Sequence, residues 1–209
     1  AIIVATGYES YPKEIIGEYG YGKYEDVINS LEFERLLSSI GPTGGEIRRP
    51  SDNKVPKQVV FIQCVGSRDE SVGNEYCSRV CCMYTAKHAL LVKEKIPDAQ
   101  VTVFYTDVRA FGKGFEEFYD RVREEGVIYR RGNASEIYRR GGNLVVRAED
   151  TLLGETVEVE ADLVVLAAGV VPRAATNEVA GLLKLSRSAD GFLAEAHPKL
   201  RPVETAIDG

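Results

Sequence analysis

Val59-Val60-Phe61-Ile62, followed by Gln63-Cys64-Val65-Gly66-Ser67-Arg68-Asp69-Glu70, is the stretch on which the fold turns. Four consecutive β-branched or aromatic residues read as a strand buried on both faces, as in a parallel sheet. Residues 81–96 then carry a helical pattern, with Ala86, Ala89, Leu90 and Val92 apolar. Residues 101–105 are a second strand, 115–125 a second helix ended by Gly126, and 127–129 a third strand. Segments 135–138, 144–147 and 156–159 suit an antiparallel ribbon, and Leu163-Val164-Val165-Leu166 closes the run. Strand, helix, strand, helix, strand, meander, strand predicts an α/β, Rossmann-like domain of nucleotide-binding type over residues 58–169. Its sheet is parallel with helices, plus an antiparallel meander.

Outward from this block the pattern weakens. Residues 8–57 read as a connector with one helix. Ser30 caps it, its apolar positions are Leu31, Phe33, Leu36, Leu37 and Ile40, and Gly41-Pro42 stops it. Residues 170–209 read as irregular. The chain opens on Ala1-Ile2-Ile3-Val4, a buried-strand pattern, then Ala5-Thr6-Gly7. Leu163 to Leu166 followed by Ala167-Ala168-Gly169 repeats that design. The far end, 204–209, stops at a turn signal. These ends are expected of a piece cut from a longer protein inside a domain.

Lys plus Arg number 26 and Asp plus Glu 32, for a net charge of −6 over 209 residues. An acidic surface has no general attraction for phosphates, so nucleic acid is excluded as a partner. No apolar run approaches the roughly 18 residues of a membrane span, and no stretch reads as a signal peptide.

In an open parallel sheet, ligands bind beyond the carboxyl ends of the strands, and the first strand-to-helix turn carries G-x-G-x-x-G for a pyrophosphate. Here Gly66 alone stands near the turn, and Gly73 is too far along to complete the fingerprint. Cysteine stands there instead. All four cysteines, Cys64, Cys77, Cys81 and Cys82, fall in nineteen positions with the spacing C-x12-C-x3-C-C. Cys77 and Cys81 are four apart, and the intervening loop is long enough to return Cys64 over the helix start, so the four sulfurs are expected to meet at one point. Four thiolates suit an iron–sulfur cluster or tetrahedral zinc. Adjacent Cys81-Cys82 is awkward for one small ion and easier for a cubane, which favours a 4Fe-4S cluster. Zinc, thiol redox chemistry and inert buried cysteines stay open on spacing alone. Arg68 and Arg79 flank the cysteines, either to offset their charge or to pair with Asp69 and Glu75. Asp107, Arg109 and Lys113 read as surface charge rather than a ribose site, and His88 as a helix-surface histidine.

Three blocks, Phe61 to Asp69, Tyr76 to Tyr84 and Ala110 to Tyr119, resemble the A subunit of heterodisulfide reductase, an iron–sulfur flavoprotein of methanogens. Residues 30–37 and 200–209 are similar as well. The resemblance implies a core like thioredoxin reductase, with an FAD domain interrupted by the Rossmann-like domain. Residues 1–57 would then be the end of an FAD-domain strand plus a linker, 58–169 the inserted domain, and 170–209 the return segment, so that truncated pieces of the FAD domain flank the insert. It further implies that Cys64, Cys77, Cys81 and Cys82 hold a 4Fe-4S cluster. Thr6 and Gly7 would border FAD, whose site is incomplete here, so the isolated piece is expected to be inactive. Implied partners are the other heterodisulfide reductase subunits, a hydrogenase or formate dehydrogenase as electron donor, and ferredoxin. The setting is methanogenesis in the cytoplasm, with a homodimer through uncovered strand edges as a further expectation. Against this stand an NAD(P)H-dependent FAD disulfide oxidoreductase domain and a structural zinc-binding interaction module.

Overall fold

The computed structural model describes residues 1–12 and 16–207. Residues 13–15 of the expected connector and residues 208–209 of the return segment lie outside the described residues. In chain order the elements are β1 (Tyr8–Ser10), β2 (Val27–Asn29), α1 (Ser30–Leu37), β3 (Gln58–Val65), α2 (Cys81–Lys95), β4 (Gln100–Tyr105), α3 (Phe115–Glu124), β5 (Ile128–Arg131), β6 (Ala134–Arg140), β7 (Asn143–Asp150), β8 (Glu155–Ala161), β9 (Leu163–Ala168), β10 (Val170–Pro172) and α4 (Ala175–Leu183). The chain divides into two compact units, Pro12–Gly169 and the paired segments Ala1–Tyr11 and Val170–Gly209.

The larger unit is built on a five-stranded parallel sheet of order β2-β9-β3-β4-β5. A separate antiparallel meander, β6-β7-β8, makes a third layer. Strand β3 is buried along its length because its side chains alternate between two apolar layers. Val59 and Phe61 face the helices, where Phe33, Ala86, Ala89, Val92 and Val122 meet them. Val60 and Ile62 face the meander, against Ile137, Leu144, Val146 and Ala161. Phe61 and Phe33 stand edge to face with ring centroids 5.5 Å apart, the arrangement the ring quadrupoles prefer. Parallel pairing sends the carboxyl ends of β9, β3 and β4 to one crest.

Several expectations need correction. Residues 27–29 are not connector; they form β2 and pair in parallel with β9 at the sheet edge. Asn29, not Ser30, caps α1. Its Oδ1 accepts from the Leu31 and Glu32 amides at 2.8 and 3.0 Å, and Glu32 returns to the Asn29 amide at 2.7 Å, a complete capping box. That cap lies one residue before the expected one because Val27 and Ile28 are held in the sheet. The helix ends at Leu37, leaving Ile40 exposed.

In the smaller unit, β1 and β10 form a two-stranded antiparallel ribbon with Tyr8 opposite Pro172. Residues 170–209 are not wholly irregular, since α4 lies within them. Ala1 to Val4 make no strand: Ile2 and Ile3 are exposed and find no ladder among the described residues. An apolar run specifies a strand only where a neighbouring strand supplies the hydrogen bonds. Among the described residues no helix is long and apolar enough to cross a membrane.

His88 is not on the surface of α2 but is 2% exposed. It packs against Phe33 and Tyr84 at centroid distances of 5.1 and 5.7 Å, and its Nε2 lies 2.5 Å from a Glu34 carboxylate oxygen. Burial drives its pKa down from the ordinary 6.5, outweighing the pull of half-exposed Glu34. The neutral ring therefore donates from Nε2. Unfolded His88 would take up a proton that the folded ring resists, so stability is full above about 6.5 and falls as pH drops below it. Denaturant midpoints measured from neutral pH downward should fall through the first unit below 6.5 in the native chain and stay flat over that interval in His88→Gln; a flat native profile there would contradict the assignment.

Candidate metal centre

The crest is shaped by a break at the end of β3. Its register against β9 shifts between Ile62 and Val65, and Cys64 between them takes a left-handed φ of 59°. Of six non-glycine residues with positive φ among the described residues, three lie in this region: Cys64, Arg68 and Arg79. Such residues cost on the order of 1–3 kcal/mol each and persist only where the surroundings enforce them.

The enforcement comes from a stapled loop. Ser67 Oγ donates to the Tyr76 carbonyl at 2.7 Å, and the Arg68 amide reaches the same carbonyl at 3.1 Å. Asp69 and Asn74 exchange backbone hydrogen bonds of 3.0 and 3.1 Å. Buried Asn74 donates its side-chain amide to the Gly66 carbonyl at 2.5 Å. The loop folds back against the end of β9, where Gly169 is required. A Cβ there would fall 2.9 Å from the Gly66 carbonyl oxygen.

This loop delivers all four cysteines to the carboxyl-terminal crest. Cys64 stands at the break in β3, Cys77 in the returning arm, and Cys81 and Cys82 in the first turn of α2. Cys77 sulfur accepts from the Arg79 amide at 3.3 Å. Cys81 sulfur lies 3.9 Å from the Ala168 carbonyl. Cys82 sulfur lies 3.5 Å from Gln63 Oε1 and 3.6 Å from the Asp107 carbonyl. The start of α2 has no side-chain cap, so its first amides point toward the crest unclaimed by a side chain, a setting that favours negative charge.

Electrostatics tie the four together. Burial pushes the Cys81 thiol up to about 12, and the Tyr84 hydroxyl opposes this while Cys64, Cys82 and Cys77 add to it. Burial also raises Cys64, reinforced by Cys82 and partly offset by Arg68. Cys82 is raised by burial and eased by the Arg109 backbone amide. Each sulfur is thus near enough to feel the others' charge. Yet among the described residues no three His, Cys, Asp or Glu side chains are arranged to hold a metal ion. The expected meeting at one point is corrected accordingly. As thiols, Cys81 and Cys82 turn toward the nearest carbonyl acceptors rather than toward a common centre. Four neighbouring thiolates could not coexist here without cationic charge between them. Soft sulfur donors on an electropositive helix start, with mutual repulsion that iron or zinc would relieve, fit a thiolate-bound metal group.

Arg68 does not pair with Asp69 or Glu75. It bonds Asp107 at 2.7 Å, and Arg109 reaches the same carboxylate at 3.2 Å. These contacts hold Asp107 below the usual carboxylate range against the opposing effect of burial. Sequence reasoning gave no role to Gln63 or Tyr84, both of which touch the cysteines. A polar residue interrupting an otherwise apolar strand was the available signal for Gln63. Thr6 and Gly7 belong to the smaller unit. Thr6 Oγ1 accepts from Thr176 Oγ1 at 3.0 Å, and Gly7 is exposed with φ 73°.

Asn74→Ala should leave the Gly66 carbonyl unpaired and cost about 1–3 kcal/mol. Limited proteolysis should then cut between residues 68 and 80 faster than in the native chain; an unchanged cutting rate would show that Asn74 does not hold the loop.

No protein-family profile matches the chain. Curated relatives do. The chain is 56% identical over its whole length to the second iron-sulfur A subunit of the CoB--CoM heterodisulfide reductase of Methanopyrus kandleri. It is 54% identical to the A subunit of the H(2):CoB-CoM heterodisulfide,ferredoxin reductase of Methanothermobacter thermautotrophicus. In both cases it spans 32% of the relative's length. Among solved structures, thioredoxin reductase of T. acidophilum matches 99% of the chain and 54% of its own, with a TM-score of 0.54 at 16% identity. Lactococcus lactis thioredoxin reductase gives 0.52 at 18%, again over 99% of the chain and 54% of its own. These two show the fold, which is like that of thioredoxin reductase. By sequence the chain groups with the A subunits of heterodisulfide reductase, of whose length it spans 32%.

Proposed function

We propose that this chain is an electron-transfer segment of a heterodisulfide reductase-type iron–sulfur flavoprotein, an oxidoreductase, and that Cys64, Cys77, Cys81 and Cys82 hold a 4Fe-4S cluster. The observation that carries this is the gathering of all four cysteines on the crest where a parallel α/β sheet binds its ligand. The names of the relatives, which include an iron–sulfur subunit, support it. Bound there, the cluster would supply one-electron storage.

The chain's own residues do the rest. The α2 amides and Arg68 favour negative charge at the sulfurs. The Arg79 amide donates to Cys77, and the Arg109 backbone eases negative charge at Cys82. Cys81 and Cys82 are both buried, which keeps solvent from their sulfurs. A cubane accepts sulfurs set farther apart than a single zinc does, since one zinc needs every Zn–S distance near about 2.3 Å. In the longer protein, Thr6 and Gly7 would border FAD, and electrons would pass between FAD and iron–sulfur centres. Partners would be the other heterodisulfide reductase subunits, a hydrogenase or formate dehydrogenase donor, and ferredoxin, in the cytoplasm. Relatives named for H2, formate and ferredoxin accord with that set.

Anaerobic reconstitution with iron and sulfide decides the matter. About four irons per chain, a broad visible charge-transfer band, and loss of both in Cys82→Ala are expected. One tightly held zinc without a visible band would establish the zinc module instead, and NADPH binding without iron uptake would establish the nucleotide-dependent oxidoreductase.

A further inference from the structure

Gln63 is 4% exposed, and it is the polar interruption at the end of a strand otherwise buried in apolar layers. Its Oε1 lies 3.5 Å from Cys82 sulfur. Its Nε2 is buried and has no hydrogen-bond partner among the described residues. An unpaired buried amide N–H carries a desolvation penalty on the order of 1–3 kcal/mol, so a position that retains one calls for a reason.

The polarity of Cys82 supplies it. As a thiol, Cys82 donates, and a carbonyl oxygen is the fitting neighbour. As a thiolate ligand it has no proton and only accepts. Gln63 Oε1 and the Asp107 carbonyl, 3.6 Å away, would then both be acceptors facing an acceptor. The Asp107 carbonyl belongs to the backbone and cannot turn. The amide of Gln63 can rotate by half a turn about its last bond, exchanging oxygen for nitrogen with almost no change of shape. The flip leaves Oε1 unpaired in place of Nε2, and the Cys82 contact becomes a charge-assisted N–H···S bond, stronger than the neutral one it replaces.

We infer that Gln63 sets the reduction potential of the cysteine-bound cluster, its side-chain amide donating to the Cys82 thiolate. This rests on the cluster reading of the four cysteines and adds a residue that acts through one ligand. One-electron reduction increases the negative charge on the thiolates, so an N–H donor stabilises the reduced state more than the oxidised one and raises the potential. The Arg109 backbone amide already serves Cys82, but a backbone donor cannot be exchanged by mutation, whereas Gln63 can.

The test uses the whole chain, reconstituted anaerobically and titrated with dithionite as electron source in the presence of mediators. Gln63→Leu should load iron as the native chain does, and its reduced fraction at a fixed potential should fall by about tenfold in the reduced-to-oxidised ratio, equivalent to about 59 mV for one electron. A second measurement needs no variant. The native chain, labelled with 15N at the glutamine side-chain amides, should show a 15N coupling to the reduced cluster in pulsed EPR. The other two glutamines, Gln58 and Gln100, sit at the opposite ends of β3 and β4. Normal loading with an unchanged potential in Gln63→Leu and no 15N coupling would overturn this inference and leave the cluster standing. If Gln63→Leu fails to fold or load, the coupling alone decides. Failure of the native chain to take up any iron would overturn the cluster reading, and the role of Gln63 with it.

Discussion

Strand β3 has nowhere to move. Val59 and Phe61 are locked among three helices, and Val60 and Ile62 among the strands of the meander, with β9 and β4 hydrogen-bonded on either side. A strand fixed on four sides transmits any irregularity to its free end. That irregularity begins at Gln63. The register with β9 breaks there, Cys64 adopts a left-handed backbone, and the chain leaves the sheet as a loop that doubles back on itself. The strain at Cys64, Arg68 and Arg79 is offset by the Ser67 and Asn74 hydrogen bonds and by the packing of the strand beneath. Loosening β3 would release the loop, and with it the relative positions of the cysteines.

The electrostatic design of the crest is lopsided. Three of the four thiols are raised by burial and by one another. Around them the protein places an uncapped helix start, backbone amides aimed at Cys77 and Cys82, and Arg68 and Arg109 sharing one Asp107 carboxylate. Asp69, Glu70 and Glu75 of the same loop balance the arginines, so the favourable field at the sulfurs is local, from Arg68 beside Cys64 and from the nearby amides.

Much of the larger unit could be read from its residues, because parallel strands buried on both faces announce themselves as unbroken apolar runs. β3, β4 and β9 fall within a few residues of their expected limits, and α2 begins at Cys81 as its pattern required. What escaped has identifiable causes. β2 is three residues long, too short for any periodicity, and is a strand only because β9 offers it an edge. Asn29 and Ser30 are both capping residues, and the choice between them depends on where β2 ends. His88 sits among alanines and lysines that mark a solvent face, and its burial follows from Phe33 arriving from a distant helix. Ala1 to Val4 has strand composition but pairs with no strand among the described residues. The four cysteines were conspicuous by spacing, whereas Gln63 and Tyr84 matter through contacts that no spacing displays.

The crest also differs from a dinucleotide-binding turn in how it uses its glycines. In dinucleotide-binding domains, glycines at the first turn let a pyrophosphate approach the helix start. This chain retains glycines at the same crest but uses them for a different approach. Gly66 turns the chain with φ 64°, and Gly169 admits the loop so closely that a methyl group would collide with the Gly66 carbonyl and the Ser67 side chain. The space over the strand ends is therefore occupied by the protein's own backbone, from Gly66 to Ser78. Restoring a G-x-G-x-x-G turn would not recreate a phosphate site, because the returning arm that bears Cys77 would still cover it. The loop that covers the strand ends is the same loop that carries Cys77 and leads into Cys81 and Cys82, so the two properties are one structural choice.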